Sequence, residues 1–330
     1  MPALLISHIC HAMFGADLAA AIARLKLPLE VLVLPADKEA RLAEADIARV
    51  EIAFFSQDLV PDFSRQFFSA VRKAPNVKWL HVFNVGVDHP IFTEMLQRGV
   101  RLTTSTGTTA EPIAQTALAG LLMLARGFPQ WLKSQAAHRW EPVRLQESPR
   151  DLPGQTVLVY GMGQIGTTFA RLARALGMRV IGVRRSPRKA EDPVDEMHAP
   201  GHLDELLPRA EWLMLACPLT PETRRLITAK RLALLPQGAY IINIARGEVI
   251  DETAMIAALN SGHIAGAYLD VFEQEPLPAA SPLWDMPNVI ATPHNSSSAI
   301  GNERRVFEVF VRNLEHWQRG DALTNEVISS

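Results

Sequence analysis

The run Thr156-Val157-Leu158-Val159-Tyr160-Gly161-Met162-Gly163-Gln164-Ile165-Gly166 reads as a β-strand feeding directly into a glycine-rich turn, and Thr167 to Leu176 continues it as a helix. Phe169, Leu172, Ala173 and Leu176 recur at helical spacing, so one face of that helix is built to pack on the strand. Each glycine has its own task. Gly161 makes the tight turn, Gly163 lets backbone approach a pyrophosphate, and Gly166 lets helix lie close to strand. The helix N-terminus offers free N–H groups to phosphate oxygens, and Met162, Gln164 and Ile165 complete the expected cofactor-binding turn. A lone G-x-G-x-x-G means little. Strand before, helix after and a further strand at Val180 make it a dinucleotide site.

The end of that further strand, about 20 positions on, carries the residue that separates the two nicotinamide dinucleotides, because a carboxylate there binds the ribose 2′-hydroxyl. This chain has Arg184, Arg185 and Ser186 instead. A carboxylate would repel a 2′-phosphate, whereas a guanidinium binds it through paired charge-assisted hydrogen bonds. NADP(H) is therefore expected over NAD(H), with NAD(H) kept as the second option. The bland alternative is a solvated basic loop that also contains Arg188 and Lys189.

On either side of this turn, short apolar runs alternate with helical patterns. Before it, Leu4 to Ile9, Val31 to Leu34, Ile52 to Phe55 and Trp79 to Phe83 read as strands, with Ala16 to Leu25 and Pro61 to Lys73 helical. After it come strands at Arg179 to Val183, Trp212 to Ala216, Tyr240 to Asn243, Gly266 to Asp270 and Val289 to Ala291. Such alternation predicts an α/β protein with parallel sheets and crossover helices. The cluster Thr103-Thr104-Ser105-Thr106-Gly107-Thr108-Thr109 reads as a loop and cap before a long apolar helix, and marks a domain junction. The helix Glu303 to Arg319 follows the completed second sheet, so the chain is expected to return to its first domain. The expected architecture is two doubly wound parallel-sheet domains. A flavodoxin-like substrate domain, residues 1–103 plus 292–330, would receive a Rossmann cofactor domain, residues 104–291, as an insert.

Length and composition agree with this. The chain has 330 residues, more than one core usually serves, and 48% hydrophobic against 21% charged residues describes an ordinary globular protein. A net charge of -2 gives none of the basic surface that nucleic acid or anionic lipid would require. No membrane span is expected, since the apolar stretch Ile113 to Ala125 falls short of the roughly 20 residues needed. Cys10 and Cys217 lie in apolar runs, which suits buried thiols in a reducing compartment, and Met1 to Ile6 reads as a first strand rather than a signal peptide. A cytoplasmic protein is expected.

Four segments of the second half, in order, resemble the D-isomer-specific 2-hydroxyacid dehydrogenase family, which includes glyoxylate/hydroxypyruvate reductases and phosphoglycerate dehydrogenases. They are Cys217-Pro218-Leu219-Thr220-Pro221-Glu222-Thr223, then Ile242-Asn243-Ile244-Ala245-Arg246-Gly247-Glu248-Val249-Ile250-Asp251, then Leu269-Asp270-Val271-Phe272-Glu273-Gln274-Glu275-Pro276, then Thr292-Pro293-His294. Asn84-Val85-Gly86-Val87-Asp88 is similar to the family's substrate loop. The resemblance implies cofactor contacts from Cys217, Pro218, Thr223, Ile244 and Ala245, and places Asp270 on the nicotinamide carboxamide.

Residue chemistry gives the same site. Reducing a 2-oxoacid needs a group to hold the carboxylate, a proton donor for the carbonyl oxygen and a dry setting for the nicotinamide. Arg246 offers a planar fork for carboxylate and carbonyl, with backbone N–H groups around Asn84, Val85 and Gly86 sharing the load. His294 is the natural acid, and Glu275 on its other ring nitrogen would orient the imidazole and keep it protonated. The expected reaction is NADPH-dependent reduction of a small 2-oxoacid, such as glyoxylate or hydroxypyruvate, to the D-2-hydroxyacid. Two alternatives stay open. One is oxidation of a D-2-hydroxyacid, as in a phosphoglycerate dehydrogenase, against which Arg184 and the expected lack of an appended regulatory domain both argue. The other is a dinucleotide-sensing protein of the corepressor type.

Two stretches depart from the family pattern: Gln115-Thr116 stands where Glu-His is common, and Asn295-Ser296-Ser297-Ser298 replaces a small apolar, glycine-containing run. His8, Cys10 and His11 are close in sequence, but strand alternation would scatter them, so no metal site is expected. Trp131 and Trp140 flank a helical segment that, by the resemblance, packs on a second subunit, and a homodimer is expected.

Overall fold

The computed structural model describes residues 1–84, 86–87, 89–145 and 148–327. In chain order the elements are β1 (Ala3–Ile6), α1 (His8–Arg24), β2 (Glu30–Val33), α2 (Glu44–Ile47), β3 (Val50–Phe55), α3 (Ser64–Lys73), β4 (Trp79–Val82), α4 (Pro90–Gln97) and β5 (Arg101–Thr104). There follow α5 (Ala110–Ala125), α6 (Phe128–Ala136), β6 (Thr156–Tyr160), α7 (Gln164–Ala175), β7 (Arg179–Val183), β8 (Glu196–His198), α8 (Leu203–Leu206) and β9 (Trp212–Leu215). The rest are α9 (Ala229–Leu232), β10 (Ala239–Asn243), α10 (Glu252–Asn260), β11 (Ile264–Leu269), β12 (Val289–Ala291) and α11 (Asn302–Arg319). Contacts divide them into two compact units, Met1–Thr108 with Ala299–Ser330, and Thr109–Ser298.

In the first unit a parallel sheet has the order β2-β1-β3-β4-β5, the doubly wound arrangement with its topological switch between β1 and β3. Strands β1 and β4 are buried along their whole length, as strands covered on both faces must be, and β3 is buried except at Glu51. One face is closed by α11, whose Val306, Phe307, Phe310 and Leu314 form a stripe at helical spacing. Phe310 stacks on Phe54 at 4.6 Å and on Trp79 at 5.2 Å, and Phe307 stacks on Phe14 of α1 at 4.6 Å. These contacts bring the last helix into the same unit as the first strand.

The expected strand Leu4 to Ile9 is corrected by the structure: β1 ends at Ile6 and α1 begins at His8. The cause is local. Ser7 Oγ accepts from Cys10 N at 2.8 Å, an N-cap that turns the apolar Ile9-Cys10 pair into the first turn of a helix. His8, Cys10 and His11 therefore sit on a helix, with Cys10 buried and His11 exposed. Among the described residues no group of three or more His, Cys, Asp or Glu side chains is placed to hold a metal ion.

A second correction concerns Thr103 and Thr104, read from sequence as loop, which are buried in β5. Thr103 Oγ1 accepts from Trp79 Nε1 at 2.8 Å and meets His81 Nδ1 at 2.7 Å, while Ser105 Oγ donates to the Val82 carbonyl at 3.0 Å. Thr103 must spend its one proton on Nδ1, so His81 donates from Nε2 to Ser105 at 3.1 Å, and the whole polar chain is satisfied. Burial pushes the His81 pKa down to about 3, which keeps the ring neutral inside the sheet.

The second unit holds a parallel sheet of order β12-β11-β10-β9-β6-β7-β8. Val157, Val159, Met214 and Ile242 line one face, against Ala114, Ala117 and Leu121 of α5 and Phe169, Ala170 and Ala173 of α7. Small residues let α5 lie close: a Cβ on Gly120 would fall 2.3 Å from Cγ of Tyr268 in β11. Among the described residues no helix is long and apolar enough to cross a membrane.

Candidate active site

The glycine turn joins β6 to α7 as its residue types demand. Gly161 has φ +106°, and a Cβ there would meet Cys217 N at 2.5 Å, so only glycine fits between β6 and the end of β9. A Cβ on Gly166 would sit 2.1 Å from the Gly161 carbonyl oxygen, which is the close approach of helix to strand. Gly163 differs. Nothing lies within 4 Å of where its Cβ would be, and it starts α7 with no side chain capping the helix. Open space beside uncapped helical N–H groups is the cradle a pyrophosphate requires, so the residues present fit a dinucleotide. Met162 is buried beneath the turn, whereas Gln164 is exposed and Ile165 half-buried.

At the end of β7 the three predicted residues separate. Arg184 turns inward and forms a bidentate pair with Asp192, Nη1 to Oδ1 at 2.8 Å and Nη2 to Oδ2 at 2.6 Å, with its side chain only 12% exposed. It also donates to the carbonyls of Ser186 and Pro187. Burial works against the Asp192 carboxylate, but the bonds from Arg184 and from the Lys189 backbone hold its pKa below the usual range. Arg185 and Ser186 remain exposed on the loop that Arg184 and Asp192 shape.

Three further loops leave the carboxyl ends of three adjacent strands, β10, β11 and β12. Arg246 stands three residues past β10 and donates from Nη1 to the Ala245 carbonyl at 2.7 Å. Asn243, which the sequence reading did not single out, braces that loop from below. Its Oδ1 accepts from Ala245 N at 3.1 Å and its Nδ2 donates to the Arg246 carbonyl at 3.1 Å. Gly247 rests directly on the β11 loop, where a Cβ would come 1.8 Å from the Phe272 carbonyl carbon; any other residue would push Arg246 and Glu275 apart.

Glu275 and His294 meet across the next two loops. His294 Nδ1 lies 2.7 Å from Glu275 Oε2, and Glu275 Oε1 accepts from Phe272 N at 3.1 Å. Among the described residues His294 Nε2 has no protein partner. The Glu275 hydrogen bond raises the histidine pKa above its ordinary value, against burial and the positive charge of Arg246. Burial pushes the other way on Glu275, yet the His294 and Phe272 bonds keep its pKa below the carboxylate norm. An imidazole whose protonated form is favoured, beside a carboxylate and a guanidinium, is a set that can hold an anion and deliver a proton.

The remaining predicted residues are placed as follows. Asp270 is 1% exposed and bonded within the His294 loop. Cys217 is buried, which pushes its thiol pKa up to about 12, and Thr223 Oγ1 folds back to donate to the Pro218 carbonyl at 2.7 Å. Ile244 and Ala245 are buried at the β10 end. Asn84 and Gly86 follow β4 in the first unit, with Asn84 Oδ1 buried and without a partner among the described residues; Val85 lies outside the described residues.

Comparison with known proteins agrees with this geometry. Residues 118–296 match the model of the NAD-binding domain of D-isomer specific 2-hydroxyacid dehydrogenases. A glyoxylate reductase of Thermofilum pendens is 34% identical over 262 residues, 77% of each chain. Among solved structures, a family member from Aeromonas salmonicida superposes with a TM-score of 0.81 at 31% identity, covering 99% of this chain and 98% of that one. Another, from Xanthobacter autotrophicus in complex with NADPH and MES, gives 0.76 at 34% identity, with 99% and 98% covered. The fold, the glycine turn and these matches together make the chain a member of the D-isomer specific 2-hydroxyacid dehydrogenase family, NAD(P)-dependent oxidoreductases.

Proposed function

We propose that the chain reduces a small 2-oxoacid of the glyoxylate or hydroxypyruvate type to the D-2-hydroxyacid, with NADPH as the preferred reductant. The observation that carries this reading is the 2.7 Å pair of His294 and Glu275, set beside Arg246 at the carboxyl edge of the sheet that holds the glycine turn. A bound nicotinamide supplies the hydride. Arg246 binds the substrate carboxylate and polarises the carbonyl, His294 gives its Nε2 proton to the carbonyl oxygen, and Glu275 stabilises the imidazolium until then. The similarity to a glyoxylate reductase supports a short substrate. A panel of 2-oxoacids assayed with both reduced cofactors at 340 nm tests the proposal, and no turnover of glyoxylate or hydroxypyruvate with either cofactor would sink it.

The preference for NADPH rests on Arg185 and Ser186, exposed on a loop whose shape Arg184 and Asp192 fix. The NADPH complex of the Xanthobacter relative supports it. Arg185→Ala is expected to raise the KM for NADPH by about tenfold to a hundredfold, the worth of a charge-assisted hydrogen bond, and to leave the KM for NADH nearly unchanged. Equal losses with both cofactors would show that Arg185 does not read the 2′-phosphate.

We further propose a homodimer built on the segment around α6. Trp140 is 96% exposed and Leu145 87%, with Phe128, Trp131 and Leu132 also out in solvent, a concentration of apolar surface that a monomer rarely leaves open. Sedimentation velocity is expected to give a dimer, and Trp140→Glu with Leu145→Glu a monomer. A wild-type monomer at micromolar concentration contradicts this.

A further inference from the structure

His294 has φ +50°, in the left-handed region that a residue with a side chain enters at a cost, and only where its surroundings hold it. What holds it is a directed chain of buried and half-buried polar groups. The Asp270 carbonyl accepts from His294 N at 2.9 Å, while the Asp270 carboxylate accepts from Asn295 N at 2.9 Å and from Ser296 N at 3.1 Å. Thr292 Oγ1 donates to Asp270 Oδ1 at 2.6 Å. A threonine hydroxyl has one proton, so in the 2.8 Å contact between Tyr268 and Thr292 the tyrosine must be the donor. The chain therefore runs from Tyr268 through Thr292 to Asp270 and ends on the backbone N–H groups of Asn295 and Ser296, directly after His294.

Its far end is anchored to α5. Gly120 leaves room for the Tyr268 ring, and Thr116 Oγ1, one turn earlier, donates to the Pro112 carbonyl at 2.9 Å and lies 3.2 Å from the Ser296 carbonyl. Thr116 and Ser296 both stand where the sequence departs from the family pattern, and the structure brings them into contact.

We propose that Tyr268, acting through Thr292 and Asp270, is a positioning residue that holds His294 in register with Glu275. The inference rests on the reading of His294 as the proton donor. Without the Tyr268 proton, Thr292 loses the partner that orients it, its bond to Asp270 loosens, and the loop relaxes from its strained φ. Small displacements of that kind carry large kinetic costs. The charged groups facing His294 are Glu275, Arg246 and Asp270, and only the bond to Glu275 requires this alignment.

Tyr268→Phe removes the donor and keeps the ring against Gly120. It is expected to lower kcat roughly ten- to a hundredfold, with the NADPH Kd and the oxoacid KM within about threefold of wild type. The alkaline limb of the pH profile for reduction should also move to lower pH, because a displaced His294 loses the bond that raises its pKa. Thr292→Val should behave alike, and Thr292→Ser should restore both kcat and the limb. Wild-type kcat in Tyr268→Phe overturns the inference, and so does a loss of kcat with the limb unmoved, which marks a purely structural part. The two readings fail separately: an active His294→Ala removes the proton-donor reading, whereas an inactive His294→Ala beside a normal Tyr268→Phe removes only this one.

Discussion

Replacing His294 with alanine is expected to lower kcat for 2-oxoacid reduction by about two to four orders of magnitude, the range that a positioned general acid supplies. NADPH binding should be nearly unchanged, since the ring touches none of the residues of the glycine turn. The pH profile follows from the shift. The Glu275 bond raises the His294 pKa, so the acid form persists to higher pH than for a free imidazole. Reduction requires that form; the rate is flat below the raised pKa and falls as pH rises through it. Oxidation of the hydroxyacid requires the neutral ring and shows the opposite limb. Glu275→Gln keeps a hydrogen-bond acceptor but removes the charge, and should move the reductive limb toward lower pH. A His294→Ala enzyme within tenfold of wild type, or a limb that does not move in Glu275→Gln, contradicts the roles assigned.

Replacing Arg246 with alanine is expected to cost about two to three orders of magnitude in kcat/KM, as when one preorganised donor is removed from developing charge. Both parameters should suffer, because the fork serves the carboxylate in the ground state and the carbonyl oxygen in the transition state. Arg246→Lys should recover only part, since an ammonium cannot make two parallel bonds from a fixed plane. A variant that loses only KM would confine Arg246 to carboxylate binding. The substitution has a built-in control: Arg246 also lowers the His294 pKa, so its removal should move the reductive limb upward, opposite in sign to Glu275→Gln.

Much of this was open to reading in the sequence, and the reasons are physical. Parallel strands buried on both faces must be continuous apolar runs, so Val157 to Tyr160 and Trp212 to Leu215 announce themselves. Glycines at 161, 163 and 166 are readable because each removes a specific steric conflict. The first helix was misplaced because Ser7 looks like any strand-end serine until its hydroxyl is seen capping Cys10 N. The strand β5 was hidden because its threonines are polar by composition yet satisfied inside by Trp79 and His81.

Within the site, arginine, glutamate and histidine carry chemistry that residue type alone suggests. Tyr268 and Thr292 do not, since a strand tyrosine and a loop threonine acquire meaning only when Asp270 lies 2.6 Å away. Arg184 was visible as a charge, but the partner that occupies it, Asp192, stands eight residues on across a loop no periodicity describes.

The first unit is assembled from both ends of the polypeptide, with α11 covering a sheet face that includes Phe54 and Trp79. During synthesis those aromatic rings emerge early and stay bare for the tens of seconds that translation of the intervening unit requires. The nascent chain thus exposes a sticky, half-built sheet until α11 leaves the ribosome. Such transiently exposed apolar surface is where aggregation competes with folding, whatever the equilibrium stability of the finished molecule.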